Sequence, residues 1–283
     1  MTNFQILSGK EPAKAILENA KTEVSQLPTK PKLGIVLVGS NPPSEVYVSK
    51  KEKTAKEIGI DAEVYRLPET AKENELLELI ERLNNDKKVT GFIVQTPLPK
   101  HMNTQKVLEA ISSKKDVDGF SPQNMGKLMI NILDDSMLAC ATPSGIMAML
   151  DYYKIELSGK NAVVIGRSNI VGKPIAMLLL HRNATVTICH SATKNLKDFT
   201  KSADLIIAAT GVPKLVKADM VKEGTYIIDV GTTRIEEKLT GDVDFVNVIK
   251  KANCSPVPGG VGPMTVAMLI ANTVKAGRMQ NKK

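Results

Sequence analysis

The polar side chains that helical period and strand order bring toward one place in this chain are Lys51, with Tyr47 beside it, and Gln95. Residues from about 44 onward read as a helix, and stepping about 100° per residue puts Tyr47, Val48, Lys51, Thr54, Ala55 and Ile58 in one sector. Lys50, Glu52, Lys53, Lys56 and Glu57 fall outside it, so Lys51 is the one lysine of this segment on the apolar side. Tyr47, one helical turn earlier, lies beside it on the same face. Gln95 ends an apolar run over 89–95 that reads as a strand. A lysine amine beside an amide can exchange or orient protons. The alternative is a lysine whose stem lies along the helix while its amine reaches water.

A second stretch has the composition of a phosphate site. Residues 162–165 are apolar and read as a buried strand; Gly166 and Gly172 bracket Arg167, Ser168, Asn169, Ile170 and Val171, and Pro174 suits the start of the next helix. Strand, glycine turn and helix in that order bring free backbone N–H groups and the positive end of a helix dipole to an anion. The spacing is not GxGxxG, and an ordinary strand-to-helix turn with two glycines is the competing reading. From 157 to 197 there is no Asp or Glu, while Lys160, Arg167, Lys173, Arg182, Lys194 and Lys197 are present. After the second strand, 185–189, where a dinucleotide site for NAD places an acid on the ribose, stand His190, Ser191 and Thr193. A 2′-phosphate is accommodated there better than a 2′-hydroxyl, which favours NADP over NAD, against a generic basic surface. Later strands end at Thr210–Gly211 and Gly231–Thr232, where glycine lets a ligand approach the backbone.

These groups need a parallel α/β scaffold. Apolar runs over 33–39, 62–67 and 89–95 alternate with helical patterns, and the pattern repeats over 162–165, 185–189, 204–209 and 226–230. Thr70 and Glu73 have capping-box spacing ahead of Leu76, Leu77, Ile80 and Leu83. Thr142 and Pro143 are placed to begin a helix through 153, and a further helix is expected over 264–275. Ligands of parallel sheets lie beyond the carboxyl ends of the strands, where Gln95 and the start of the Lys51 helix meet. Two prolines follow at Pro97 and Pro99, flanking Leu98, and the loop 114–120 holds Asp116 and Asp118 beside Lys114 and Lys115. On spacing alone the solvated turn is the better reading of that loop, Asp-Gly being common in turns.

At 283 residues and 42% apolar content, the chain has material for one large or two ordinary domains. No apolar stretch approaches the roughly 18 residues of a membrane span, and the N-terminus lacks a signal-peptide pattern, so a soluble cytoplasmic protein without a membrane partner is expected. Cys140, Cys189 and Cys254 are far apart and read as buried thiols; His101, His181 and His190 form no cluster, so no metal is expected. The net charge of +8 suggests an anionic partner. With five Tyr, five Phe, no Trp and no basic block beyond Lys282 and Lys283, a small polyanion fits better than nucleic acid.

Five segments in order, SEVYVSKK (44–51), QTPLP (95–99), KDVDGF (115–120), GRSNIVGKP (166–174) and PVPGGVGPMT (256–265), resemble the bifunctional methylenetetrahydrofolate dehydrogenases and methenyltetrahydrofolate cyclohydrolases. The resemblance implies two α/β lobes with the active cleft between them: a folate-binding catalytic domain over 1–140 completed by a C-terminal helix, 264–283, and a Rossmann-type NAD(P)-binding domain with a mostly parallel sheet over 141–263. It implies Lys51, Tyr47, Gln95 and Asp118 as catalytic or folate-contacting residues, with Leu98, Pro258, Gly259 and Gly260 also meeting substrate. Cofactor contacts implied are Gly166, Arg167, Ser168, Val171, Gly172, His190, Ser191, Thr210, Gly211, Gly231 and Thr232. A homodimer acting on tetrahydrofolate derivatives with NADP is also implied. Two positions depart from the family pattern: Thr96 where leucine is usual, and Ser121 where histidine is frequent. A shikimate-dehydrogenase-like or amino-acid dehydrogenase would share the architecture without needing Tyr47, Lys51 and Gln95 together, and a non-enzymatic basic binding protein would explain only the charge.

Overall fold

The computed structural model describes residues 4–236 and 238–281, so Lys282 and Lys283 lie outside the described residues. The chain divides into two compact units, one formed by 15–141 with the helix from Val266 onward, the other by the segment ending at Lys14 with Thr142–Thr265.

In chain order the first elements are α1 (Lys10–Gln26), β1 (Lys32–Val38), α2 (Pro42–Ile58), β2 (Asp61–Leu67), α3 (Glu73–Asn85), β3 (Gly91–Val94), α4 (Thr104–Glu109) and α5 (Pro122–Met129). The three strands form a parallel sheet in the order β2-β1-β3. Central β1 is apolar on both faces because both are covered: Leu33, Ile35 and Leu37 pack with Val48 and Ala55 of α2, while Val36 and Val38 pack with Leu76, Ile80 and Leu83 of α3. Helix α2 begins two residues ahead of Ser44, with Asn41 as its cap accepting from the Ser44 N–H at 3.3 Å. The expected Thr70–Glu73 capping box does not form. Helix α3 starts after Lys72, whose N–H donates to Glu75, and Glu73 instead binds the Asn103 N–H and the Lys106 amine.

The remaining elements are α6 (Ala141–Tyr152), β4 (Asn161–Ile165), α7 (Gly172–His181), β5 (Thr185–Cys189), α8 (Leu196–Ser202), β6 (Leu205–Ala208), β7 (Tyr226–Asp229), a hairpin of β8 (Thr233–Ile235) and β9 (Lys238–Thr240), α9 (Phe245–Val248), β10 (Asn253–Cys254) and α10 (Val261–Asn281). Five strands make a wholly parallel sheet in the order β10-β7-β6-β4-β5. Succession along the sheet reverses between β4 and β6, the switch point at which doubly wound sheets take their ligands. Helix α6 includes Thr142 rather than being capped by it, and the Thr142 hydroxyl meets that of Thr265 at 2.9 Å. Helix α10 begins three residues before the expected Met264.

The N-terminal segment differs from the expected division at 140. Ile6 bridges Cys254, and the Leu7 N–H donates to the Cys254 carbonyl at 2.9 Å, so residues 5–7 extend the five-stranded sheet beyond β10. Backbone pairing with a strand whose outer side would otherwise be unpaired outweighs nearness in sequence. Among the described residues no helix is long and apolar enough to cross a membrane.

Candidate functional site

Within the unit built on β1–β3, the predicted convergence of Lys51 and Gln95 is present. Lys51 is 7% exposed, and its Nζ donates to Gln95 Oε1 at 3.0 Å. The Gln95 amide is fixed in turn, since Nε2 donates to the Thr96 carbonyl at 2.7 Å, just before a cis Thr96–Pro97 peptide. Tyr47 and Leu98 are half-buried near these two positions in sequence, one turn before Lys51 and three residues after Gln95. The amine therefore sits against an oriented acceptor, and the snorkelling alternative fails.

Asp118 joins them electrically. Removal from water pushes its carboxyl pKa up, the Lys51 charge pulls it down, and the Asp116 charge pushes it up. Its loop is not a solvated turn. Asp116, 1% exposed, accepts from the N–H groups of Gly119 at 2.9 Å and Ser121 at 2.6 Å and from Asn124 Nδ2 at 3.3 Å. Burial raises the Asp116 pKa while those donors oppose the rise. Asn272 on α10 secures the same loop by donating to the carbonyls of Val117 at 2.8 Å and Ala139 at 2.7 Å. Gly119 is obligatory, with φ +77° and the Ala139 and Cys140 backbone where a side chain would stand. Ser121 is fully buried and caps α5.

In the other unit the carboxyl ends of β4, β5 and β6 carry the predicted turns. Gly166 (φ +124°) lies so close to the Ala209 carbonyl, and Gly172 to that of Gly166, that neither position has room for a Cβ. Ser168 folds the turn, its Oγ accepting from the N–H groups of Val171 and Gly172 at 3.2 Å each. The Gly166 N–H donates to the Cys189 carbonyl at 2.8 Å, bringing the turn carrying Arg167 next to His190 and Ser191. Those residues form a closed turn, the His190 N–H donating to Thr193 Oγ1 at 2.8 Å. Arg182 and Lys197 pair with Asp151 and Asp219, whereas Arg167 and Ser191 are exposed at the strand ends. Thr210–Gly211 follows β6 and Gly231–Thr232 follows β7. No described atom lies within 4 Å of where a side chain on Gly211 would stand. Close-approach glycines, a helix start and an exposed arginine with no acid at 190–193 fit a phosphorylated dinucleotide.

Pro258, Gly259 and Gly260 belong to this second unit, where the Gly259 carbonyl accepts the Gly9 N–H at 2.9 Å and Val257–Pro258 is cis. Sequence reasoning missed the supporting polar groups: Asn124, Asn272, and the buried pair Asp229 and Asp242 beneath the turns after β6 and β7. A Ser-Pro start at 121–122 was a legible sign of α5. The others show no periodicity, because their partners are fixed by the folded turns and not by a repeat in the sequence.

Two family models cover nearly all of the chain: the catalytic domain of tetrahydrofolate dehydrogenase/cyclohydrolase matches residues 7–118, and its NAD(P)-binding domain matches 140–281. The bifunctional protein FolD of Moorella thermoacetica is 52% identical over 279 residues, covering 97% of this chain and 99% of that protein. The crystal structure of the bifunctional FolD enzyme from Campylobacter jejuni is 48% identical with a TM-score of 0.94, over 97% of this chain and 99% of that one. The Trypanosoma brucei dehydrogenase-cyclohydrolase, complexed with NADP cofactor and inhibitor, is 34% identical with a TM-score of 0.95 over the full length of both. With both domains matched and half the residues shared with a full-length relative, the chain belongs to the tetrahydrofolate dehydrogenase/cyclohydrolase family.

Proposed function

We propose that the protein oxidises 5,10-methylenetetrahydrofolate to 5,10-methenyltetrahydrofolate with NADP and hydrolyses the product to 10-formyltetrahydrofolate. The observation that carries this reading is the buried Lys51 amine held 3.0 Å from Gln95 Oε1, with the Asp118 carboxyl electrically coupled to it. Family membership supplies the substrate class and excludes a shikimate-type carbonyl reduction and a purely basic binding protein.

Bound NADP supplies the hydride acceptor. Loss of hydride from the one-carbon bridge leaves a cation spread over two nitrogens, which calls for positioning more than for a strong base. Asp118 accepts hydrogen bonds from the amino edge of the pterin, and Tyr47 packs along the substrate. In the second step water adds to the methenyl carbon and the ring opens. Lys51, held by Gln95, orients that water and relays its proton to the ring nitrogen as the carbon–nitrogen bond breaks. Leu98, Pro258, Gly259 and Gly260 are proposed as further folate contacts from the family motif. For the dinucleotide, Arg167 and Ser191 would hold the 2′-phosphate, and Gly166, Ser168, Val171, Gly172, His190, Thr210, Gly211, Gly231 and Thr232 would contribute the remaining contacts. The resemblance supports a homodimer in the cytoplasm, with no nucleic-acid partner.

The test is spectroscopic. Purified protein with methylenetetrahydrofolate and NADP should produce reduced nicotinamide and methenyl product together, after which the methenyl band decays. Absence of both signals with either NADP or NAD refutes the reading.

A further inference from the structure

Beneath the turns that follow β6 and β7 lies a pair of carboxyl groups that the proposed chemistry does not use. Asp242 is fully buried. Its Oδ2 accepts from the Thr210 N–H, from Thr210 Oγ1 at 2.9 Å and from the Gly211 N–H at 3.1 Å. Its Oδ1 is buried and has no hydrogen-bond partner among the described residues. Asp229 supports Asp242 from behind. Asp229 Oδ1 accepts from the N–H groups of Asp242 at 2.9 Å and Gly231 at 3.0 Å, Oδ2 accepts from Val243 N–H at 3.0 Å, and Ser255 Oγ holds the Asp229 N–H at 2.7 Å. Gly231 and Gly241 leave no space between their backbones and these carboxylates, so the packing depends on both glycines.

A carboxylate buried with one oxygen unpaired is expensive to keep, and this one answers three donors on a single turn. What Asp242 does specifically is turn the Thr210 and Gly211 N–H groups inward. The turn therefore withholds two donors that a phosphate would seek, and it stands over a carboxylate that repels phosphate. On the other side of the switch point, next to β5, lie Arg167 and Ser191, suited to the phosphorylated ribose. The two flanks of β4 are thus unlike: donor-rich and cationic toward β5, donor-poor and underlain by negative charge toward β6.

We propose that Asp242 is a positioning residue that fixes the Thr210–Gly211 turn as a seat for the nicotinamide-riboside half of the cofactor and bars the phosphorylated half from it. This rests on the reading of Thr210 and Gly211 as cofactor contacts.

The experiment measures equilibrium binding by titration calorimetry, with the whole protein and two probes, NADP and adenosine 2′,5′-bisphosphate, alongside thermal melting of each variant. Asp242→Asn should weaken NADP binding by about tenfold, the loss expected when hydrogen bonds to a charged group are degraded, while the bisphosphate binds as it does to the parent. Thr210→Val, which removes only the hydroxyl donor, should shift NADP in the same direction by less and serves if Asp242→Asn does not fold. Unchanged NADP affinity in the folded variants, or parallel loss of both probes, overturns the proposal. Gly211→Asn separates this from the reading beneath it. Asparagine tolerates the left-handed φ of +71° and projects into the open space there. If it leaves NADP binding intact, the turn is not a cofactor contact and the reading itself falls. If it weakens NADP while Asp242→Asn does not, the reading stands and the positioning role of Asp242 is refuted.

Discussion

Replacing Lys51 by methionine removes one nitrogen from a site that is otherwise packed, and the structure divides the consequences. The side chain is 7% exposed, so an apolar chain of similar length fits its channel. Lost with the nitrogen is the donor to Gln95 Oε1 at 3.0 Å, leaving a half-buried acceptor unpaired at about 1 to 3 kcal/mol. Lost too is the charge that draws the Asp118 pKa down, so that carboxyl, already raised by burial, rises further. Ring opening should fall by about 10² to 10⁴, or roughly 3 to 5 kcal/mol of barrier, the range for losing an acid–base group. Hydride transfer should change in a different way. A carboxyl with a higher pKa is less ionised at a given pH, so the acidic limb of dehydrogenase activity should move to higher pH and activity should recover on the alkaline side. Lys51→Arg keeps the charge and should keep that limb near its parental position while still impairing hydrolysis. The assay follows decay of the methenyl band, corrected for spontaneous hydrolysis, and reduced nicotinamide across pH. Parental hydrolysis in Lys51→Met would refute the proton-transfer role; an unmoved acidic limb would refute the coupling to Asp118.

Arg167→Ala should raise KM for NADP by about tenfold or more while changing NAD little, since it removes a charge-assisted phosphate contact; equal losses with both nicotinamides would refute the 2′-phosphate assignment. Asn272→Ala leaves the Val117 and Ala139 carbonyls without this donor, so denaturant titration should show a loss of about 2 to 4 kcal/mol, with folate KM rising as the Asp118 loop loosens. A parental folate KM in a destabilised variant would confine Asn272 to stability. Burial, reinforced by the nearby Asp242 charge, raises the Asp229 pKa to about 7 despite its backbone donors. A carboxyl whose pKa is higher folded than unfolded contributes stability that is full below the unfolded value near 4 and is lost as pH rises through the folded one. Denaturation midpoints of the protein without cofactor should therefore fall between about pH 4 and pH 7. Asp229→Asn should flatten that slope; an unaltered slope would show that Asp229 does not carry it.

What could be read from the sequence was whatever repeats locally. Fully apolar runs identified β1, β4 and β6 because a parallel strand is covered on both faces, and the helical period singled out Lys51. Gly166 and Gly172 marked a real close approach although their spacing matched no standard fingerprint. Groups whose partners are set by the fold were not legible. Asp116 looked like any acid in a Lys-Asp turn, yet it is buried under three donors, and nothing near Asn272 announces carbonyls more than a hundred residues away. The Thr70 cap was misplaced because Glu73 is drawn off by the start of α4. Ser121, at first sight a departure from a histidine, holds a helix cap and an N–H contact to Asp116, so the loop keeps its shape with a smaller residue.

The pairing of residues 5–7 with β10 also affects how the chain can be made. Gln5 and Asn253 are 248 positions apart, whereas β1, β2 and β3 all lie between residues 32 and 94. During vectorial synthesis the small sheet has all its strands early. Residues 5–7 must wait, unmatched, until residues 253–254 have left the ribosome, because such distant closure carries an entropic penalty that only the finished neighbour offsets.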